Sequence, residues 1–140
     1  MTKILGMDYG KKMTGLSITD SKKKFAFGLD VIPTNKLMNF LKSFLNDNSI
    51  EKIVIGLPKK LNFEEFPIEK HIKKFIFKFC LQYPRISIER LDERFTSKIA
   101  LYTIIKSGIK KKKRRKKEIS HKISAIIILQ SYLNKISLIL

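Results

Sequence analysis

The chain has little cysteine, no long apolar run and few acidic residues, and each shortage excludes a class of protein. Cys80 is the only cysteine, so an intrachain disulfide is excluded. No stretch reaches the roughly 18 uninterrupted apolar residues that a membrane span requires. The apolar run after Lys3 is too short for a signal peptide. The sequence therefore predicts a soluble protein of a reducing compartment, the cytoplasm, with no membrane partner.

Length and composition predict one folded domain. With 140 residues and 44% hydrophobic residues, the chain can bury a single sizeable core, which we place over residues 1–140. Cys80 falls inside an apolar helical pattern, and we expect it to lie in that core.

The scarcity of acidic residues gives the chain a strong positive charge. It carries 30 Lys and Arg against 12 Asp and Glu, a formal net charge of +18. Such a charge favours a polyanion as partner, because each neutralised phosphate releases counterions. An AT-rich genome would also raise the lysine content without selection for binding. Residues 1–70 are net +4 and residues 71–140 net +14, and this asymmetry favours a basic face.

Apolar periodicity predicts strands alternating with helices in the second half of the chain. We expect strands over 3–9, 14–19, 25–32, 52–56 and 86–91, and helices over 37–45, 68–80, 96–108 and 120–136. The order β-β-β-α-β-α-β-α, with a final helix, is the plan of the ribonuclease H-like fold. This α/β fold has a five-stranded mixed sheet, with its first three strands antiparallel, flanked by helices. It supports many chemistries, so function depends on particular residues.

Asp8 is the first such residue, because it closes the apolar run of the first predicted strand and precedes a turn. A carboxylate there would lie on a rigid element, and Gly10 and Gly15 would leave room for a bulky ligand. The alternative is a solvated turn aspartate beside a hairpin.

Four segments in order resemble the motifs of the YqgF/RuvX family. They are Ile4-Leu5-Gly6-Met7-Asp8-Tyr9-Gly10 with Gly15-Leu16-Ser17, then Val54-Ile55-Gly56-Leu57-Pro58, Leu91-Asp92-Glu93-Arg94-Phe95-Thr96-Ser97, and Ser124 to Leu133. The family is described as nucleases that process the 5′ end of pre-16S ribosomal RNA, structurally related to RuvC-type Holliday junction resolvases. Two departures stand out. The loop after Pro58 is basic and lacks glycine, and His121 replaces the aspartate usual in the last helix.

The resemblance implies a metal-dependent site with Asp8, Glu93 and His121 as catalytic residues and metal ligands. Two divalent cations about 3.5–4 Å apart can stabilise both the attacking and the leaving oxygen of a phosphodiester. Mg²⁺ prefers oxygen ligands, and imidazole would let Mn²⁺ substitute. Asp92 is a second candidate ligand, but adjacent residues of a strand face opposite ways, and we favour Glu93. We expect the first and fifth strands to be neighbours, which would bring Asp8 and Glu93 together. The alternative for the acidic pair is a surface ion-pair turn.

His121 is expected in the first turn of the last helix, with Ser120 as its cap. A helix N-terminus disfavours protonation, so a neutral imidazole could bind metal or accept a proton from water. The alternative is a histidine that caps or packs without a catalytic role.

Residues 110–117 are all Lys or Arg. The run has no aromatic residues, which suits phosphate tracking better than base stacking. Its like charges should repel and leave it mobile, and the alternative is a solvated loop. We expect nucleic acid to contact Lys11, Lys12, Arg94, Lys110, Lys111, Lys112, Lys113, Arg114, Arg115, Lys116 and Lys117.

The sequence thus predicts an Mg²⁺- or Mn²⁺-dependent endonuclease that processes pre-16S ribosomal RNA and contacts that RNA or the ribosome, as a monomer or weak homodimer. One alternative is a DNA junction resolvase, which would need a dimer with two matched sites. Another is a non-catalytic RNA-binding relative in which His121 marks a decayed site.

Overall fold

The computed structural model describes residues 2–58, 65–92 and 113–139. Within them the predicted elements are present, with boundaries shifted by one to a few residues except at the last helix. They are β1 (Lys3–Asp8), β2 (Met13–Thr19), β3 (Ala26–Pro33), α1 (Leu37–Asp47), β4 (Ile50–Leu57), α2 (Ile68–Gln82), β5 (Ser87–Asp92) and α3 (Lys113–Ile139). The helix predicted over 96–108 lies outside the described residues, as do Glu93, Arg94, Lys110, Lys111 and Lys112.

The five strands form one mixed sheet in the order β3-β2-β1-β4-β5. The pairs β1–β2 and β2–β3 are antiparallel, as predicted, whereas β1–β4 and β4–β5 are parallel. The expectation that β1 and β5 are neighbours is wrong, because β4 lies between them. The crossover through α1 leads from β3 back across the sheet to place β4 beside β1, and the crossover through α2 adds β5 on the outer side of β4. The ends of β1 and β5 are therefore two strand spacings apart, about 10 Å.

One face of the sheet packs against α1 and α2. Side chains alternate along a strand, so Leu5 and Met7 of β1 share this face with Ile53 and Ile55 of β4. The helices supply the other half of this core, with the fully or almost fully buried residues Leu37, Leu41, Ile72, Phe75 and Phe79.

The opposite face of the sheet is covered by α3. Ile4 of β1 and Val54 of β4 pack there against a helical stripe made of Ile128, Leu129, Tyr132 and Leu133. The approach is close at Gly6, where an added Cβ would lie 2.7 Å from the Cβ of Leu129. Ser17 fixes the position of the helix, since its hydroxyl donates a hydrogen bond of 2.7 Å to the carbonyl of Ala125.

The last helix is longer than predicted, since it spans Lys113–Ile139 rather than 120–136. The second part of the basic run, 113–117, is therefore helical backbone and not a loop. Lys and Arg are good helix formers, and the packed C-terminal turns stabilise the whole helix. No helix in the described part of the chain is long and apolar enough to cross a membrane.

Cys80 is exposed, so its predicted place in the core is wrong. The buried face of α2 is formed by Ile72, Phe75 and Phe79. Cys80 follows Phe79 and is rotated by about 100° around the helix axis, which carries it off that face.

Candidate active site

Asp8 is the last residue of β1, just before the chain turns toward β2, and its side chain contacts α3. It follows Met7, which is buried on the α1/α2 face, so Asp8 faces the other way. The Nδ1 atom of His121 lies 3.2 Å from the Oδ2 atom of Asp8. The Asp8 side chain is 17% exposed and that of His121 is 31% exposed. The pair is therefore partly sheltered but still open to solvent.

The chemistry of this contact defines the state of the His121 ring. An ionised carboxylate can only accept hydrogen bonds, so opposite an ionised Asp8 the Nδ1 atom keeps its proton and donates a hydrogen bond to the carboxylate. In the neutral imidazole, Nε2 is then left with a lone pair. That atom can accept a proton from water or bind a cation.

His121 is held at this place by the packing of α3 on β2 and not by a helix terminus. It is the ninth residue of the helix that starts at Lys113, so its predicted location in the first turn, with Ser120 as cap, is wrong. A Cβ added at Gly15 would overlap the carbonyl of His121, and one at Gly10 would lie 3.0 Å from its Cε1 atom. Gly15 thus makes room for the chain's own helix, whereas Gly10 is required mainly by the turn, where an added Cβ would overlap the carbonyl of Met13.

Thr34 fixes the turn that follows Asp8. Its hydroxyl donates a hydrogen bond of 2.7 Å to the carbonyl of Gly10. Because that bond uses the only hydrogen of the Thr34 hydroxyl, the Thr14 hydroxyl is the donor in the second bond, of 2.8 Å, between the two threonines. The backbone N–H of Thr34 donates to the carbonyl of Lys12 at 2.8 Å. The turn presents Lys11 and Lys12, both exposed, beside Asp8. Thr34 was not found by sequence reasoning, because nothing local links it to this turn.

Tyr9 follows Asp8 and takes no part in the pair. Its ring faces α2, with its centroid 5.5 Å from that of Phe75. Burial raises the pKa of the Tyr9 hydroxyl, so it stays protonated at neutral pH.

A buried ion pair braces the same edge of the sheet at β4 and β5. Arg90 donates to both carboxylate oxygens of Glu69, at 2.7 and 2.8 Å, and to the carbonyl of Gly56 at 3.0 Å. The Glu69 side chain is 1% exposed. The pair ties the start of α2 to the strand that leads into Leu57 and Pro58. Sequence reasoning missed it, since the two charges are 21 residues apart.

Asp92 is exposed, and it lies on the side of the sheet away from Asp8. It pairs with Leu57 at the end of β5. Asp92 comes two residues after Arg90, and side chains two residues apart on a strand share a face. The Arg90 side chain points toward α2, so Asp92 lies on that face as well. Of the four predicted ligands, the structure brings Asp8 and His121 together and places Asp92 on the other face. Glu93 is not among the described residues.

The Asp8–His121 pair offers a donor set that fits a divalent cation. The atoms available to such an ion are the carboxylate oxygens of Asp8 and the Nε2 atom of His121, because the Nδ1 atom of His121 is used in the hydrogen bond of 3.2 Å to Asp8. Carboxylate oxygen suits Mg²⁺, and imidazole nitrogen is accepted more readily by Mn²⁺. Within residues 2–58, 65–92 and 113–139, no group of three or more His, Cys, Asp or Glu side chains is placed so that it could hold a metal ion.

Comparison with known proteins agrees with the fold and identifies the family. The family model described as RuvX, Holliday junction resolvase, matches residues 2–135. A Porphyromonas gingivalis protein named "putative pre-16S rRNA nuclease" is 44% identical over 134 residues, covering 96% of this chain and 97% of the relative. A Karelsulcia muelleri protein of the same name is 48% identical over 136 residues, covering 95% and 99%.

Solved structures of RuvC confirm the predicted ribonuclease H-like fold. Thermus thermophilus RuvC in complex with a Holliday junction substrate superposes with a TM-score of 0.55. The alignment covers 98% of this chain and 97% of RuvC, at 12% identity, so this likeness concerns the fold alone. The family model and the full-length relatives go further, and they show that this chain belongs to the RuvX family.

Proposed function

We propose that this protein is a divalent-metal-dependent endonuclease that processes the 5′ end of pre-16S ribosomal RNA. The contact of 3.2 Å between Asp8 and His121 is the observation that carries the proposal. It supports a site assembled from two distant parts of the chain, the end of β1 and the last helix. The names of the full-length relatives support the choice of RNA as substrate.

The proposed metal ligands are Asp8, Glu93 and His121, with Mg²⁺ or Mn²⁺ as the ion. Divalent cations held there would stabilise negative charge on the attacking and leaving oxygens of the scissile phosphate. Asp8 also orients the imidazole through Nδ1, which leaves Nε2 of His121 to accept a proton from water. We assign Asp92 a lesser role, because its strand position is on the face away from Asp8.

Basic residues on both sides of the site are proposed to bind phosphates. Lys11 and Lys12 are exposed on the turn next to Asp8. Position 113, where α3 starts, is eight residues before His121, about 12 Å along the helix axis. The phosphate-binding set is the one expected from the sequence, completed by Arg94, Lys110, Lys111, Lys112, Lys113, Arg114, Arg115, Lys116 and Lys117.

The deciding experiment is cleavage of labelled pre-16S ribosomal RNA by the purified protein with Mg²⁺ or Mn²⁺. Asp8→Asn should abolish cleavage, because it replaces an anionic ligand with a neutral amide of the same shape. Asp47→Asn is the matched control, since Asp47 is exposed at the end of α1, close to the start of β4, which pairs with the end of β1 opposite to Asp8. Near-normal turnover by a well-folded Asp8→Asn protein would refute the site.

A Holliday junction resolvase is the second candidate function. The description of the matching family model favours it, as does the junction-bound RuvC that shares the fold. Branched DNA in the same assay distinguishes the two, and a resolvase should also sediment as a dimer. A third outcome, RNA binding with no cleavage by any metal, would show a decayed site.

A further inference from the structure

Two phenylalanine side chains are exposed at the start of β3, the edge strand of the sheet. Phe25 is 60% exposed and Phe27 is 54% exposed. They are two residues apart on extended backbone, so they share a face and lie about 7 Å from each other. Phe27 pairs with Ile18, which places both rings on the face away from α3. We call residues 20–27 the aromatic hairpin.

The aromatic hairpin is held in a fixed shape by its own hydrogen bonds. The Oδ1 atom of Asp20 accepts from the N–H of Lys24 at 2.8 Å and from the N–H of Phe25 at 3.0 Å. These bonds, that of Phe25 foremost, lower the pKa of the Asp20 carboxyl. Lys23 takes a left-handed backbone conformation with φ of 58° and forms an ion pair with Glu51.

The last helix also holds the hairpin in place. The side-chain carbonyl of Gln130 accepts from the N–H of Ala26 at 2.9 Å, and its amide donates to the carbonyl of Lys24 at 3.2 Å. A ligand would therefore meet a surface that is already ordered, which reduces the entropy lost on binding.

The charge around the two rings indicates which ligand this surface suits. Lys22 and Lys24 are exposed in the same hairpin, in a chain of net charge +18. Exposed aromatic rings flanked by cations are the means by which proteins bind unpaired nucleotides, with stacked bases and neutralised phosphates. The order aromatic, small, aromatic in Phe25-Ala26-Phe27, with Lys23 two residues before it, also matches part of the pattern of sheet-surface strands that stack RNA bases, although Lys24 stands where that pattern has glycine.

We propose that the aromatic hairpin is a second substrate-binding surface, on which an unpaired segment of the RNA stacks against Phe25 and Phe27. Gln130 is nine residues after His121 along α3, so the hairpin is about 14 Å from the site in that direction. A bound strand would pass round the β3 edge between the two. The choice of RNA as ligand rests on the proposed function, whereas the stacking surface does not require that the chain cleave.

Binding is measured by fluorescence anisotropy with a labelled single-stranded RNA of about 12 nucleotides, in EDTA so that no cleavage occurs. Phe25→Ala and Phe27→Ala should each weaken binding by about 5- to 100-fold, with the salt dependence unchanged. Lys22→Gln combined with Lys24→Gln should instead make the slope of log affinity against log salt shallower, by about 0.7 for each phosphate that is no longer neutralised. Phe77→Ala is the matched control, since Phe77 is 67% exposed on α2 and should have no effect.

A second measurement reports stacking directly. The chain contains no tryptophan, so Phe27→Trp introduces a single reporter, whose emission should be quenched by single-stranded RNA and much less by a duplex. Unchanged affinity in both alanine variants, or no quenching at saturating RNA, would overturn the proposal. If the alanine variants bind normally while Asp8→Asn abolishes cleavage, the second surface is wrong and the nuclease stands. If the alanine variants lose binding but the natural protein cleaves neither RNA nor DNA, the stacking surface stands and the proposed nuclease function is wrong.

Discussion

His121→Asp is the substitution that examines the site most directly. The Nδ1 atom of histidine and an Oδ atom of aspartate are both bonded to Cγ, so an aspartate at 121 can place an oxygen near the present Nδ1 position. That position is 3.2 Å from the Oδ2 atom of Asp8. A hydrogen bond would then be replaced by the contact of two carboxylates. Without a cation these charges repel, and with Mg²⁺ they become two anionic ligands of one ion.

The size of this repulsion follows from the distance and the exposure. Two unit charges about 4 Å apart interact with about 1 kcal/mol in bulk water and about 4 kcal/mol at an effective dielectric constant of about 20. The side chains of Asp8 and His121 are 17% and 31% exposed, so the value should fall between these limits. For a domain of this size, 1 kcal/mol shifts the melting temperature by roughly 2–5 °C. His121→Asp should therefore lower the melting temperature by about 2–20 °C in EDTA.

The assay is thermal unfolding in EDTA and in Mg²⁺, with His121→Asn as the control of equal shape and no charge. Mg²⁺ should restore the melting temperature of His121→Asp and change that of His121→Asn little. His121→Asp should also keep or raise cleavage with Mg²⁺, whereas His121→Ala should lower it strongly. Equal melting temperatures of the two variants in EDTA would show that the side chains at 8 and 121 are not adjacent. Equal inactivity of the natural protein and His121→Ala would indicate a decayed site.

Three further predictions concern the neighbouring parts of the molecule. Glu93→Gln should reduce cleavage far more than Asp92→Asn, and the opposite order of turnover numbers would show that the choice between these neighbours is wrong. Glu69→Ala should lower the free energy of unfolding by about 3 kcal/mol, because it leaves a partly buried guanidinium without its carboxylate. Glu65→Ala, in the exposed pair with Lys73, should cost less than about 1 kcal/mol in the same urea titration. Replacement of four basic residues by glutamine should weaken binding to all RNAs about equally and make the slope of log affinity against log salt concentration shallower. The four residues are Lys111, Lys112, Lys113 and Arg114. An unchanged slope would show that these side chains do not contact RNA.

The sequence predicted most of the described elements because their apolar patterns are regular. Alternation along 3–9 and 14–19 indicated β1 and β2, and the stripe from 68 to 79 indicated α2. The resemblance to the family also implied that Asp8 and His121 share a site. Local pattern and family resemblance together thus predicted the fold and two residues, Asp8 and His121, that the structure brings together.

The remaining features depend on contacts between distant residues, which a single sequence does not encode locally. The position of β4 between β1 and β5 is a matter of crossover connections. The bonds of Thr34 to Gly10 and of Arg90 to Glu69 join separate elements. The start of α3 at Lys113 was missed because charge repulsion was given more weight than helix propensity and packing.

The contact between Gly15 and the backbone of His121 has a consequence for how this protein can vary. Every single-nucleotide missense change of a glycine codon adds a Cβ atom, and a Cβ at Gly15 would overlap the His121 carbonyl. No second mutation can shrink the other partner, because a carbonyl group is common to all amino acids. No series of single substitutions can therefore replace Gly15 without moving the helix, and the distance between α3 and β2 should stay constant as the sequence changes. By this reasoning, the side chain at position 121 can change its chemistry more easily than the helix backbone can change its place.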